Sequence, residues 1–304
     1  MDIQFSEQHR SGFVNIIGHP NVGKSTLLNA IIGEKMSIIT HKPQTTRHRI
    51  IAILNEDELQ IVFSDTPGMI QKPNYKLQEK MNSFVKGTTE DADLMLLVVD
   101  LKEVLQNDSV LVDIIKKTKS PLFLVLNKVD ISNSELIQEK TNFWKKHASF
   151  EEIFQISALH KTGTSELLEK IKEKMPLGPA YYPKDQFTDR SERFFVSEII
   201  REKILLLYHQ EIPYASEVVV ETFKDDPDPA RKLVRILAHI FVSRKTQKGI
   251  LIGDKGSSIK KLGIESRIDI EKFLEKKVHL ELYVKVKEDW RDDDKLLKSF
   301  GYEE

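Results

Sequence analysis

No cysteine occurs anywhere in the 304 residues. That excludes disulfides, thiolate zinc sites and cysteine nucleophiles, and it is compatible with a reducing compartment. Long apolar runs are missing too. The longest, Leu94–Val99, falls far short of the ~20 residues that a membrane-spanning helix requires. The opening Met1-Asp2-Ile3-Gln4-Phe5-Ser6-Glu7 has no basic stretch followed by an apolar one, so no secretory signal is expected. Internal repeats and low-complexity tracts are absent. So is a charge excess: 46 Lys+Arg against 47 Asp+Glu give a net charge of −1, which taken alone argues against a polyanionic partner. What remains is 40% hydrophobic and 31% charged, the make-up of a globular chain and too apolar for a disordered one. At ~100–200 residues per domain, the length predicts about two domains.

From Phe13 to about Met175, short apolar runs alternate with segments of helical period. The runs are Phe13–Ile17, Ile50–Leu54, Leu59–Phe63, Leu94–Val99, Leu122–Leu126 and Ile153–Ile156; the helical segments include Val104–Lys117 and Glu135–Lys146. Continuous apolar strands alternating with helices predict an α/β domain whose mostly parallel sheet is covered on both faces. Only Asn55–Glu58 separates the second and third runs, which suits a hairpin and hence one antiparallel edge strand. The stretch from Met175 to Pro183 holds Pro176, Gly178, Pro179 and Pro183, and reads as a linker. Beyond it, a helix from about Ser191 to His209, strand-like Glu217–Phe223, Lys232–Ser243 and His279–Val286, and a further helix predict a smaller α+β domain. The expected division is residues 1–175, a linker at 176–190, and 191–304.

Four motifs follow in order, each after a strand. Gly18-His19-Pro20-Asn21-Val22-Gly23-Lys24-Ser25 fits G-x-x-x-x-G-K-[ST], with Thr26 next in the helix it opens. Its glycines let backbone N–H groups converge on phosphate oxygens, and the helix N-terminus adds partial positive charge. Lys24 is placed to reach the β- and γ-phosphates, and the Ser25 hydroxyl to ligate Mg²⁺. Asp65-Thr66-Pro67-Gly68 offers a second carboxylate for the Mg²⁺ shell and a backbone N–H for a γ-phosphate. In Asn127-Lys128-Val129-Asp130, a carboxylate at Asp130 can accept from both N1–H and the exocyclic amine of guanine, neither of which adenine offers. Ser157-Ala158-Leu159 places a backbone N–H near the guanine oxygen. Singly, D-x-P-G or a lone serine is an ordinary loop feature; jointly, the four specify a guanine nucleotide site at the carboxyl ends of the strands.

These residues resemble the translation-factor-related P-loop GTPases. Within them, the loop Gly18–Thr26 and the segment Pro43-Gln44-Thr45-Thr46-Arg47-His48-Arg49-Ile50 are similar to the Era family of ribosome-associated GTPases. The resemblance implies GTP hydrolysis, with Thr46 in switch I as a Mg²⁺ ligand in the GTP state. Lys24, Thr46, Asp65 and Gly68 are then the residues nearest the chemistry. Met69 follows Gly68 where signalling GTPases carry a water-orienting glutamine. A thioether cannot do that, so turnover is expected to be slow and to depend on backbone groups, ions or a partner. Relatives with asparagine at the place of Asn21 bind a K⁺ ion in the nucleotide site, and Asn21, Thr40 and Thr45 match that pattern.

The near-zero net charge hides a local imbalance. Between Arg231 and Lys261 lie nine basic residues (Arg231, Lys232, Arg235, Arg244, Lys245, Lys248, Lys255, Lys260 and Lys261) against one acidic residue, Asp254. Inside that stretch, Gly253-Asp254-Lys255-Gly256 is a G-x-x-G turn preceding the helix-like Ser257–Leu262, and Gly249-Ile250-Leu251-Ile252 before it reads as a strand. A glycine turn that lets a phosphate backbone approach, beside an apolar groove with Ile250, Ile252 and Ile259 on its floor, is the KH mode of single-stranded RNA recognition. Ser197–Ile204 and Glu211-Ile212-Pro213-Tyr214 upstream are again similar to the Era family, and the leading helix suggests the type II arrangement. The resemblance implies that the RNA is the 3′ end of small-subunit rRNA, with a role in 30S assembly, in a cytoplasmic monomer that can sit peripherally on the inner membrane. Two other readings stand beside this one. In one, the nucleotide is structural in an RNA-binding module. In the other, the basic patch docks a different RNA, a protein or acidic lipid. Trp144 and Trp290 read as packing residues, the histidines show no metal spacing, and Asp292–Asp294 reads as a solvated turn or helix start.

Overall fold

The structure, a computed structural model, describes residues 8–87, 92–104 and 110–302. It divides into two compact units at Asp189–Arg190, the stretch Tyr75–Leu77 apart.

The first unit is built on β1 (Arg10–Ile17), β2 (Ile50–Glu56), β3 (Leu59–Asp65), β4 (Leu94–Asp100), β5 (Leu122–Asn127) and β6 (Glu152–Ile156), in the sheet order β2-β3-β1-β4-β5-β6. Neighbours are parallel except β2, which the short hairpin returns antiparallel to β3 with Ile50 opposite Asp65. Helices α1 (Lys24–Ile32), α2 (Lys76–Gly87), α3 (Val110–Lys117), α4 (Ser134–Lys145) and α5 (Thr164–Lys174) complete the α/β layers. The first residues of the expected helix Val104–Lys117, up to position 109, fall outside the described ones except Val104. Leu94–Val99 and Phe123–Leu126 are fully buried, as strands covered on both faces must be. Each such side chain contributes about 1.5–3 kcal/mol of burial. β1 lies between β3 and β4, so the chain leaves it in opposite directions on either side. That reversal opens a crevice at the strands' carboxyl ends, where all four motifs sit.

The segment 176–189 is bonded along this sheet rather than spanning solvent. Ser11 N–H donates to Pro176 O at 3.0 Å, Ile53 N–H to Phe187 O at 2.9 Å, and the Thr188 hydroxyl to Ile51 O at 2.7 Å. Gln60, fully buried in β3, accepts from the N–H groups of Tyr181 (2.7 Å) and Tyr182 (2.9 Å) and donates to Tyr182 O (2.8 Å). A proline-rich stretch cannot satisfy its own backbone, and here one polar side chain in an apolar strand does so.

The second unit runs α6 (Glu192–Leu207), α7 (Ile212–Ala215), β7 (Ser216–Asp225), β8 (Leu233–Val242), α8 (Lys245–Ile252), α9 (Ser257–Leu274), β9 (Lys277–Val286) and α10 (Asp294–Ser299). The sheet order is β7-β8-β9, with β7 antiparallel and β9 parallel to β8. This α-β-β-α-α-β order around a parallel pair is the type II KH arrangement. One expectation is corrected: Gly249–Ile252 is not a strand but the last half of α8. The Gln247 side chain accepts from the N–H groups of Ser243 and Arg244, both at 3.0 Å, and so satisfies donors at the helix start. Leu251 is buried in the core, and its carbonyl accepts from the Tyr208 hydroxyl at 2.9 Å. Packing overrides the strand preference of the isoleucines. Trp144 and Trp290 are buried, and Asp293 caps α10 by accepting from the N–H groups of Lys295 and Leu296.

Candidate nucleotide pocket and nucleic-acid groove

In the first unit a cavity of about 440 Å³ opens at the carboxyl ends of β1, β3, β5 and β6. The loop after β1 forms one wall, with Pro20, Asn21, Gly23, Lys24, Ser25 and Thr26 lining it. Gly68 lines it from the other side. A Cβ there would lie 2.5 Å from Pro20 Cα, so only glycine lets the Asp65–Gly68 loop close against the β1 loop. Gly18, His19, Val22, Asp65, Thr66, Pro67, Met69 and Ala158 do not line the cavity. Several support it from behind: the Thr66 hydroxyl donates to Ile16 O at 2.9 Å, and His19 Nδ1 lies 3.2 Å from Glu103 Oε2.

Lys24 is almost wholly buried, and its ammonium donates to Gly18 O (3.1 Å) and His19 O (3.0 Å). Burial pulls its pKa down to about 8, opposed by the carboxylates of Asp65 and Glu103. Beside it, Ser25 donates to Asp65 Oδ2 at 2.6 Å and lies 2.8 Å from Thr46 Oγ1. Burial raises the Asp65 carboxyl, against the hydroxyl bonds and the Lys24 charge that lower it, and Oδ1 has no hydrogen-bond partner. Two hydroxyls and a carboxylate with an unpartnered buried oxygen form an all-oxygen donor set, which suits Mg²⁺. Met69 differs from the rest. Its side chain is 2% exposed, packed in the core with Ile17, Met95 and Leu97, and only its N–H approaches the β1 loop, at 3.5 Å from Gly18 O.

At the other end of the cavity, Asn127 ties two loops together. Its amide nitrogen donates to Val22 O at 2.8 Å, and its oxygen accepts from Ala158 N–H at 3.0 Å. Lys128 donates to Asn21 O (2.8 Å) and Asp100 Oδ2 (2.6 Å), leaving its alkyl stem to form an apolar floor. The Ser157 hydroxyl holds the Asp130 carboxyl below the usual range, against a smaller burial effect. Leu159 and Ile131, 73% and 51% exposed, line the same end, as an apolar base needs. Ile131, Ile38, Ile39 and His41 also line the cavity and belong to none of the sequence motifs, and Gln44 lines it from the Pro43–Ile50 segment. Of these, Ile131 follows Asp130 directly, and the others lie in the segment between α1 and Thr46. On that segment, the Thr40 and Thr45 hydroxyls are 2.7 Å apart, and Asn21 Nδ2 donates to His41 O at 3.0 Å.

In the second unit, a groove of about 400 Å³ runs between α9 and β9. Ile259, Lys260, Gly263, Ile264 and Arg267 line one side and Val278–Leu280 with Leu282 the other. Ile250 and Ile252, expected on its floor, lie elsewhere: Ile250 is exposed on α8, and Ile252 packs against the core. Gly263, Ile264 and Arg267 escape motif reading, although the 260, 263, 264, 267 spacing marks one helical face. The basic patch also narrows. Arg231 lies 3.8 Å from Asp226 and 3.5 Å from Asp228, and Arg235 lies 3.6 Å from Asp226. Arg244, Lys245, Lys248, Lys255, Lys260 and Lys261 stand around α8, the turn and the start of α9, with Asp254 beside them. In the turn, Gly253 has φ +72°, and a Cβ there would meet Ser258 Oγ at 2.2 Å; a Cβ on Gly256 meets nothing within 4 Å.

The fold and the first cavity thus define a P-loop GTPase joined to a KH domain. Residues 13–128 match the family described as 50S ribosome-binding GTPase, and residues 211–291 match the KH domain family. The chain is 47% identical to GTPase Era of Syntrophus aciditrophicus over 296 residues, 97% of this chain and 96% of that protein. It is 46% identical to GTPase Era of Clostridium kluyveri, covering 96% and 99%. Among solved structures, Aquifex aeolicus Era bound to GDP and AlF4⁻ superposes with a TM-score of 0.90 at 36% identity, covering 96% of this chain and 99% of that one. Era in complex with MgGDPNP and nucleotides 1506–1542 of 16S ribosomal RNA gives the same score and identity, covering 97% and 99%. The chain belongs to the Era family of GTPases and hydrolyses GTP to GDP and phosphate. Among the described residues, no helix is long and apolar enough to cross a membrane.

Proposed function

We propose that this chain is a GTP-driven switch that binds the 3′ end of small-subunit rRNA through its KH domain during 30S assembly. It acts as a monomer in the cytoplasm and contacts the inner membrane at most peripherally. The observation that carries the reading is the G-x-x-G turn, which contains Lys255 and is followed by Lys260 and Lys261, at the start of the helix that walls the apolar groove. A relative's complex with a 16S rRNA fragment supports it. Clustered lysines neutralise phosphates, and the groove takes the bases.

At the nucleotide, Lys24 and the N–H groups of the β1 loop hold the β- and γ-phosphates, with the Gly68 N–H aimed at the γ-phosphate. Ser25, Thr46 and Asp65 hold Mg²⁺, which neutralises charge developing on the phosphate oxygens. Asp130 reads the guanine edge, with Lys128 and Leu159 against the ring. Water attacks the γ-phosphorus and GDP leaves. Met69, which takes the place of a water-orienting glutamine, is turned into the core, so backbone groups and ions are left to orient that water. Asn21, Thr40 and Thr45 would supply the oxygens for a K⁺ ion, which would add positive charge beside the phosphates. Exchanging K⁺ for Na⁺ is then expected to lower the hydrolysis rate by roughly tenfold or more, less than the roughly 10²–10³-fold cost of losing a transition-state charge outright, because Na⁺ keeps the charge but fits the site less well. An unchanged rate removes the K⁺ assignment.

The RNA assignment is tested by the Lys255→Ala/Lys260→Ala/Lys261→Ala variant. It leaves Gly253, whose replacement would distort the turn, untouched. Binding to a 16S 3′-end oligonucleotide is expected to weaken roughly 10–100-fold, with the salt dependence flattening by about two log units per log [salt], since each lost phosphate contact removes ~0.7. GTP affinity is expected to stay at the wild-type value. Unaltered RNA binding in this variant would move the RNA site elsewhere.

A further inference from the structure

One hydroxyl outside the four motifs reaches the carboxylate at the centre of the nucleotide site. Ser37, just beyond α1, is 3% exposed and donates to Asp65 Oδ2 at 3.0 Å, beside the 2.6 Å bond from Ser25. Its backbone is fixed by a single side chain. Asn29 of α1 accepts through Oδ1 from the N–H groups of Met36 (2.9 Å) and Ser37 (3.0 Å), and donates through Nδ2 to Ser37 O (2.8 Å). Both ends of the Asn29 amide are thus committed to the peptide that carries the Ser37 hydroxyl.

We propose that Ser37, anchored by Asn29, is a positioning residue that orients the Asp65 carboxylate toward the Mg²⁺ shell. The torsion that rotates a carboxylate is broad and roughly two-fold, so one hydrogen bond leaves its plane loosely defined. Donors from two separate segments, both on Oδ2, fix the plane and leave Oδ1 unpartnered. Outer groups of this kind govern metal affinity by about 10–100-fold without touching the ion. The inference rests on the Asp65 assignment made under Proposed function.

The test uses the full chain with a fluorescent GDP analogue. Two quantities are measured: the Mg²⁺ concentration that half-maximally slows nucleotide dissociation, and the dissociation rate in EDTA. For Ser37→Ala, which removes one oxygen and little volume, the Mg²⁺ midpoint is expected to rise about tenfold. The EDTA rate is expected to stay within about twofold of wild type, because a positioning role is expressed only through the ion. Asn29→Ala should move the midpoint in the same direction. An unmoved midpoint in Ser37→Ala overturns the proposal, and so does an EDTA rate that rises in step with the Mg²⁺-loaded one, which marks a purely structural role. Asp65→Ala separates the two levels. If it shifts the midpoint and Ser37→Ala does not, only the role of Ser37 fails. If Asp65→Ala also behaves as wild type, the Asp65 assignment fails with it.

Discussion

Lys24→Ala is expected to lower single-turnover GTP hydrolysis by roughly 10²–10³-fold, the cost of removing one preorganised charge from a transition state. Lys24 is the first residue of α1, and its ammonium is held inside the loop that precedes it, on the carbonyls of Gly18 and His19. Burial already works against the charge, bringing its pKa to about 8, so little solvent reorganisation is needed when phosphate oxygens become its partners. Alanine leaves the loop's backbone donors in place but removes the one full charge they surround. Rapid-quench measurement at saturating nucleotide separates this from weaker binding. A rate within about threefold of wild type is far below the loss expected of a transition-state charge and would take Lys24 out of the chemistry.

Asp130→Asn is expected to reverse base preference, with GTP affinity falling about 10²–10⁴-fold and that for xanthosine triphosphate rising. An amide cannot accept from both guanine donors, and each mismatched buried polar group costs ~1–3 kcal/mol. Ser157 holds the Asp130 carboxyl below the usual carboxylate range. The anion therefore persists above that lowered pKa, and guanine recognition is lost only when pH falls through it. Competition binding with both triphosphates checks the prediction. Retained guanine preference in the variant would place base selection on other groups, such as the backbone near Ala158.

The parts of this molecule legible in its sequence are those whose physical cause is local. Leu94–Val99 and Leu122–Leu126 announce buried parallel strands because nothing polar interrupts them, and the short gap at Asn55–Glu58, only Asp57-Glu58 once the strands pair, forces β2 antiparallel. Phosphate and guanine contacts need glycine, lysine and carboxylate at fixed spacing from strand ends, so those positions can be read directly. What stayed hidden depends on distant partners. α8 is a helix because Gln247 caps it and Leu251 finds the core, not because of its isoleucines. The segment after Met175 is anchored because Gln60, some 120 positions earlier, carries donors and an acceptor for Tyr181 and Tyr182. The burial of Met69 and the reach of Ser37 to Asp65 likewise follow from tertiary packing that no spacing encodes.

This GTPase is proposed to act on the 3′ end of small-subunit rRNA through the G-x-x-G turn and its lysines. The most direct measurement is to crosslink the protein to RNA in cells and sequence what is attached, with the Lys255→Ala/Lys260→Ala/Lys261→Ala variant in parallel. Reads are expected to concentrate at the 3′ end of small-subunit rRNA and to be largely lost in the variant. Reads concentrated on other RNA, or at that 3′ end but undiminished by the substitutions, would contradict that proposal.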